Sequence, residues 1–86
     1  MEPSEFCQRW IVDPAPGEWG YRQACTKLLA EATGLSERSI ENWGKDFSNR
    51  PDYILLILQK DNALREIQLT LTQLEKLIES ALHNPR

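Results

Sequence analysis

The chain of 86 residues is 41% hydrophobic and 27% charged, which indicates one small folded domain rather than a disordered or multidomain protein. Its net charge of −3 argues against tight DNA binding. The longest apolar run, Ile54–Leu58, is too short to cross a bilayer, and the acidic N-terminus lacks the features of a signal peptide. We therefore predict a cytoplasmic protein without a membrane segment.

Charge is unevenly distributed along the chain. Residues 21–50 carry five basic and four acidic side chains, whereas residues 1–20 carry one basic and four acidic side chains. Residues 51–86 carry four basic and five acidic side chains, so the middle third is the most positive. Because this excess is small, affinity for a polyanion has to depend on a few placed contacts and on two subunits.

The N-terminal pattern predicts a short first helix over Ser4–Val12. Ser4 is a suitable N-cap, and Glu5 follows it in the first turn. Three large apolar residues share one face, which we expect to pack on the domain rather than belong to a flexible arm: Phe6, Trp10 and Ile11. The segment Asp13–Gly17 contains two prolines and a glycine and therefore ends the helix.

A second helix is expected from about Trp19 to Thr33. Its apolar residues recur three and four positions apart, which marks one buried face; they are Tyr21, Ala24, Cys25, Leu28, Leu29 and Ala32. Gly34 supplies a left-handed C-cap, and Ser36 supplies the N-cap of a third helix that runs to about Lys45. The inner face of that helix carries Ile40 and Trp43.

This succession of helix, glycine turn and helix resembles the helix-turn-helix superfamily of DNA-binding domains. A small residue stands at Ala30, a glycine four positions later at Gly34, and apolar residues at Leu29, Leu35, Ile40 and Trp43. The string TGLSERSIENW is similar to the turn and recognition helix of small bacterial regulators. The resemblance implies an all-α fold with a compact helix-turn-helix domain of three to four helices, assigned to residues 1–60.

In such a domain the exposed start of the second motif helix enters the major groove, so the resemblance also implies which residues face DNA. Arg38 is suited to guanine, Asn42 to adenine, and Glu41 to the cytosine amino group. The predicted interface comprises Ser36, Glu37, Arg38, Ser39, Glu41, Asn42 and Lys45, with Thr26, Lys27 and Arg50 on phosphates and Arg22, Ser48 and Asn49 as further phosphate candidates. The alternative for each charged residue is a solvated helix face.

A long helix is expected in the C-terminal part, because no proline or glycine occurs from Asp52 to His83. Its first part, Tyr53–Leu58, is apolar on all sides and is predicted to be buried, with a candidate break near Asp61–Asn62. Residues 61–86 are interpreted as a dimerisation helix, either in a coiled coil or in an exchanged helix pair. The basis is a heptad stripe of Leu64, Ile67, Leu71, Leu74, Ile78 and Ala81, widened by Leu77 and Leu82. The alternative is a helix that folds back on its own domain.

Few other side chains carry chemistry. Cys7 and Cys25 are 18 residues apart and His83 lies far from both, which is not a metal-ligand spacing. Cys25 belongs to the apolar face, Cys7 is either core or half-exposed, and a disulfide between them is unusual in a reducing compartment. No catalytic constellation is evident, so we predict neither an enzyme nor a cofactor.

Together these features favour a sequence-specific DNA-binding protein, a dimeric transcriptional regulator that reads a pseudo-palindromic site in double-stranded DNA. The rival hypothesis is a protein–protein adaptor of the same fold, in which the leucine-rich helix binds a different protein. The excess of acidic over basic residues favours the adaptor hypothesis. A third hypothesis, the DNA-binding half of a larger complex, is not distinguished from the first by the sequence.

Overall fold

The computed structural model describes residues 1–83, and this part of the chain is all-α. Its helices are α1 (Pro3–Trp10), α2 (Tyr21–Thr33), α3 (Glu37–Glu41) and α4 (Tyr53–His83), and the described range contains no strand. The predicted all-α fold with a long C-terminal helix is confirmed. Residues 84–86, which the prediction includes in that helix, lie outside the described residues.

The core is built around α2, which packs against each of the other helices. α1 and α4 also pack on each other, whereas α3 packs on α2 alone. Every helix and the α3–α4 connection contribute to the buried apolar cluster, which consists of Phe6, Cys7, Cys25, Leu29, Ile40, Trp43, Phe47, Ile54 and Leu58. The motif helices are therefore anchored by one shared core, as expected for a domain of this size.

The first helix differs from the prediction at both ends. Glu2, not Ser4, is the N-cap, and Pro3 takes the first helical position, where its missing N–H breaks no helical hydrogen bond. The Glu5 carboxylate accepts a hydrogen bond from the Glu2 backbone N–H at 3.0 Å, which closes the first turn without the Ser4 hydroxyl. α1 ends at Trp10 rather than at Val12.

The turn between α2 and α3 agrees with the prediction. Gly34 has a φ of 77°, which a residue with a side chain rarely adopts, and its N–H donates to the Ala30 carbonyl. The Ser36 hydroxyl accepts from the Ser39 N–H at 3.2 Å and so caps α3. α2 begins at Tyr21 rather than near Trp19, because Gly20 is left-handed at a φ of 86° and starts the helix there.

The third helix is shorter than predicted. It ends at Glu41, and the following backbone tightens, since the Trp43 N–H donates to the Ile40 carbonyl three residues back. Gly44 then takes a left-handed φ of 91°, which prevents the helix from continuing to Lys45. Phe47 is also left-handed, with a φ of 60°, and its side chain is buried in the core.

The fourth helix is continuous over 31 residues, so the break predicted near Asp61–Asn62 is absent. Asp61 pairs with Arg65 one turn later at 2.6 Å. The Asn62 side-chain oxygen accepts from the Trp10 indole N–H at 2.9 Å. Both polar residues thus stabilise the helix and its packing on α1, which explains why neither interrupts it.

The first part of α4 is buried on one side only, which corrects the prediction for Tyr53–Leu58. Ile54 and Leu58 are fully buried, whereas Tyr53 and Leu56 are more than half exposed. From Ala63 to His83 no residue is buried, so the helix does not fold back on its own domain. Within residues 1–83, none of the helices combines the length and apolar character that crossing a bilayer requires.

Candidate functional site

The outer face of α3 is exposed because only the inner face holds the helix. Ile40 is fully buried, and Trp43 is buried just beyond the helix end, so the predicted inward positions are confirmed. Five predicted interface residues are exposed around them: Ser36, Glu37, Arg38, Glu41 and Asn42. Ser39 is half-buried, and its hydroxyl lies 3.1 Å from that of Ser36. Because Trp43 is only 5% exposed, its ring is not available for base stacking.

Arg38 and Asn42 form a pair of unoccupied polar groups on this face. Asn42 lies one residue beyond α3, and its backbone N–H donates to the Arg38 carbonyl at 3.2 Å, which keeps the two residues on adjacent turns. Neither side chain takes part in the ion pairs or side-chain hydrogen bonds found within residues 1–83. Unoccupied guanidinium and amide groups are the donors and acceptors that reading base edges requires.

Arg22 holds the segment that follows α3, a role the sequence does not indicate. Its guanidinium donates to the carbonyls of Gly44 and Lys45. The same group lies over the Phe47 ring, 4.3 Å from its centroid. Because two of its N–H groups are bonded to this segment and its guanidinium stacks on Phe47, we assign Arg22 to holding the end of the motif and not to binding a phosphate.

Two other predicted phosphate residues are engaged inside the protein. Thr26 is 3% exposed, and its hydroxyl donates to the Arg22 carbonyl one turn earlier. Arg50 pairs with Glu2 at 2.6 Å and with Asp52 at 3.2 Å. The hydrogen bond from Arg50 lowers the pKa of the Glu2 carboxyl and raises the pKa of Arg50 itself. We therefore remove Thr26 and Arg50 from the predicted interface.

The remaining phosphate candidates are exposed at its edges. Lys27 on α2 and Lys45 in the turn after α3 are both exposed. Ser48 is exposed but bonded to Asp46 through its hydroxyl and its backbone N–H, and these bonds lower the pKa of Asp46. The exposed Asn49 donates its backbone N–H to the core residue Trp43 and keeps its side chain free.

The formal charge of this surface is nearly balanced. Three cations remain on it, Arg38, Lys27 and Lys45, against the carboxylates of Glu37 and Glu41. A surface with so small an excess attracts phosphate weakly, so its interactions have to come from placed hydrogen bonds.

A second candidate surface is the apolar stripe of α4. We use this term for the predicted dimerisation residues Leu64, Ile67, Leu71, Leu74, Ile78 and Leu82, which are 51–73% exposed. Scattered exposed leucines are common, but a continuous row along one helix is typical of an interaction surface. At about 1.5 Å per residue, this row extends over roughly 27 Å.

Two more apolar residues of α4 are exposed nearer to the core. Tyr53 and Leu56, which the sequence-based prediction assigned to the core, are 56% and 57% exposed. The heptad positions between Tyr53 and Leu64 are Ile57, which packs against the core, and Lys60, which is charged. The apolar stripe therefore begins at Leu64.

The two cysteines are free thiols in the core. Both are buried, and burial, followed by the neighbouring Cys25, raises the pKa of the Cys7 thiol above its usual range. Burial and a hydrogen bond with Cys25 also raise the pKa of Tyr21 to about 12. The Cys7 thiol therefore stays protonated and unreactive at neutral pH. In the described part of the chain, no three His, Cys, Asp or Glu side chains are grouped to hold a metal ion.

Comparisons with known proteins do not assign a role to either surface. No protein-family model matches the sequence, and neither a curated protein nor a solved structure shows significant similarity to the chain. The two surfaces, the outer face of α3 and the apolar stripe of α4, are therefore interpreted from their own chemistry.

Proposed function

We propose that this protein is a sequence-specific DNA-binding protein that acts as a dimer, as a small cytoplasmic transcriptional regulator. The observation that carries the proposal is the outer face of α3. There, an arginine on α3 and an asparagine just after its last residue are exposed and have no side-chain partner in the described chain, on a short helix held only by its inner side. In this proposal Arg38 reads guanine and Asn42 reads adenine through the major groove.

The capped start of α3 supports this role, because residues near the N-terminus of a recognition helix approach the bases. Ser36 and Ser39 stand at that end, and Lys27 and Lys45 lie beside the helix, where they can bind phosphates. Glu37 and Glu41 oppose the phosphate field and lower affinity for arbitrary sequence. A dimer compensates, since two weak half-site contacts act together through one linked protein.

The proposal is tested by selection of binding sites from a random duplex library, followed by titration of the selected sites over a range of salt concentrations. We expect enrichment of a two-fold symmetric site whose affinity falls steeply as salt rises. The double variant Arg38→Ala/Asn42→Ala should enrich no site, whereas Lys76→Ala, an exposed cation elsewhere on the surface, should enrich the same site as the wild type. Absence of enrichment for the wild-type protein at low salt contradicts DNA binding.

A protein–protein adaptor is the second candidate, and the exposed apolar stripe of α4 favours it together with the acidic pair on α3. In that role the stripe binds a different protein and the outer face of α3 needs no ligand. The two functions differ in oligomeric state: the adaptor is a monomer by itself, whereas the regulator is a dimer before it meets DNA. Sedimentation equilibrium of the purified chain therefore separates them.

A further inference from the structure

The turn after α3, residues 43–49, is held against α2 by one side chain. The Arg22 guanidinium donates to the Gly44 carbonyl at 2.9 Å and to the neighbouring carbonyl of Lys45. The same group stacks on the Phe47 ring, with 4.3 Å between the guanidinium carbon and the ring centroid. Because Arg22 is exposed and lies outside the buried cluster, it can be replaced without opening the core.

The backbone of this turn has a conformation that needs such support. Two of its residues are left-handed, Gly44 with a φ of 91° and Phe47 with a φ of 60°. The Phe47 N–H donates to the Gly44 carbonyl at 3.2 Å, and the Asn49 N–H donates to the Trp43 carbonyl at 2.9 Å. A bulky residue seldom adopts a positive φ, and it keeps one only where the surrounding contacts fix it. Such conformations are concentrated at functional sites, so the turn is a candidate for more than a connection.

One of the two proposed base-reading residues stands directly before this turn. Asn42 lies beyond the last residue of α3, and the next two residues are the buried Trp43 and the left-handed Gly44. Arg38 is instead the second residue of α3, next to the start that Ser36 caps. A displacement of the turn therefore moves Asn42 and leaves Arg38 nearly in place.

We infer that Arg22 is a positioning residue for sequence recognition, which holds the turn after α3 against α2 and thereby orients Asn42 toward its base. The inference rests on the proposed function, because it assumes that Asn42 reads a base. It requires no contact between Arg22 and DNA. Since a recognition side chain has to be held to within about 0.5 Å of its productive geometry, loosening the turn is sufficient to weaken base reading.

The chemistry of the guanidinium group makes arginine specific for this task. Its planar fork donates to two adjacent carbonyls while its face lies on the Phe47 ring. A lysine ammonium has the same charge but lacks the planar face and the fixed fork. Arg22→Lys therefore keeps the charge and loses the geometry, whereas Arg22→Met loses both and keeps an unbranched side chain.

Amide hydrogen exchange of the full chain without DNA tests whether Arg22 holds the turn. Arg22→Met should accelerate exchange of the Phe47 and Asn49 amides about tenfold, because their hydrogen bonds open with the turn. The Gly34 amide, which is bonded in the turn before α3, should exchange at the wild-type rate. Lys27→Met removes an exposed cation from the same helix and is the matched control. Unchanged exchange at both turn amides in Arg22→Met overturns the inference.

Competition titrations with single-base variants of the selected DNA site test the effect on recognition. Arg22→Met and Arg22→Lys should reduce the preference about tenfold at the base pair where Asn42→Ala loses its preference. The preference at the base pair read by Arg38 should stay within about twofold of the wild type. Lys27→Met should weaken binding to all sequences alike, because a phosphate contact carries no base information.

The double variant Arg22→Met/Asn42→Ala tests whether Arg22 acts through Asn42. Its preference at the base pair concerned should equal that of Asn42→Ala alone, because a positioning residue has no effect once the side chain that it positions is absent. Additive losses in the double variant overturn the inference.

The remaining outcomes separate this inference from the proposed function. A loss that is uniform over all sequences in Arg22→Met identifies a phosphate contact and overturns the inference alone. Wild-type preference in Arg22→Lys means that charge is sufficient, and it has the same consequence. A wild-type chain that enriches no DNA site overturns the proposed function and this inference with it. Faster exchange in the turn together with selective loss at the base pair of Asn42 supports the inference.

Discussion

At the scale of single residues, the arginines differ in whether their guanidinium groups are bonded within the chain or exposed without a partner. The guanidinium groups of Arg22 and Arg50 donate hydrogen bonds to carbonyls and carboxylates of the chain, whereas Arg38 has no such partner within residues 1–83. An arginine satisfied by the protein maintains a conformation, and an exposed, unpaired one is available to a ligand. The distinction depends on neighbours brought in from distant parts of the sequence.

Arg38 and Asn42 are expected to determine sequence preference. Arg38→Ala or Asn42→Ala should weaken binding to the selected site by roughly 1–3 kcal/mol and relax the preference at one base pair each. Lys45→Ala should weaken binding to all sequences alike, since a phosphate contact carries no base information. Competition titrations with single-base variants of the site measure both effects. Equal losses on every sequence for Arg38→Ala contradict its base-reading role.

The pair of Glu2 with Arg50 makes stability depend on pH in the acid range. The hydrogen bond from Arg50 holds the pKa of Glu2 in the folded chain below its ordinary value of 4.5. The folded state therefore binds this proton less readily, and the contribution of the pair is complete at neutral pH and lost as the pH falls from about 4.5 through the folded pKa.

Replacing Glu2 by Gln should accordingly lower stability at pH 7 and flatten the decline in stability between pH 6 and pH 3. Urea unfolding at a series of pH values measures this slope. Asp52→Asn is the control, because Asp52 is the fully exposed partner of the same arginine. An acid slope of Glu2→Gln equal to that of the wild type means that the pair contributes nothing to stability.

At the scale of the element, α3 depends on tertiary packing. Its five residues are too few to form a stable helix in isolation. Ile40 anchors it, Ser36 caps its start, and the Gly44 turn held by Arg22 terminates it. A short helix held in this way has a definite orientation, which a surface that reads base edges requires.

The serine cap gives an element-scale prediction with an internal control. Ser36→Ala should lower stability by about 1 kcal/mol, because the Ser39 N–H loses its acceptor. In a chain of this length that corresponds to a decrease of roughly 4–8 °C in Tm. Ser4→Ala should leave Tm nearly unchanged, since Glu2 caps α1. Thermal unfolding followed by circular dichroism compares the two variants, and equal decreases contradict this assignment of caps.

At the scale of the whole molecule, α4 extends well beyond the body that it helps to build. The described chain measures 57 Å in its longest dimension and 29 Å in the next, because the second half of α4 has no cover from its own domain. An exposed row of leucines lowers the solubility of a protein unless a partner buries it. A second copy satisfies this requirement for both chains at once.

Introducing a charge into the stripe should separate the subunits of the proposed dimer and change the proposed DNA binding in a defined way. Leu71→Glu places a carboxylate in the centre of the apolar stripe, and we expect a monomer by sedimentation equilibrium. The slope of log affinity against log salt should fall to about half, since each complex then neutralises half as many phosphates. Gln73→Glu adds the same charge outside the stripe and should remain dimeric. A monomeric Leu71→Glu with an unchanged slope contradicts the role of the dimer.

Local patterns account for the parts of the fold that the sequence predicts correctly. The left-handed turn at Gly34, the cap at Ser36 and the burial of Ile40 and Trp43 each depend on residues within a few positions of one another. Helical spacing and turn chemistry act over that range and are written directly in the sequence. The heptad spacing of α4 belongs to the same class.

The remaining features depend on residues that are distant in sequence. Whether Thr26 is buried, whether Arg50 is free, and how far α3 continues before Gly44 follow from contacts with α1, α2 and the core. The sequence by itself determined the order of the helices, the turn at Gly34 and the periodicity of the stripe, but not the ends of α1 and α3. The correct features are short-range properties of the backbone and of side-chain spacing. Only the tertiary structure decided which side chains stay available for a ligand and which side of α4 remains uncovered, because burial and pairing depend on the packing of the whole chain.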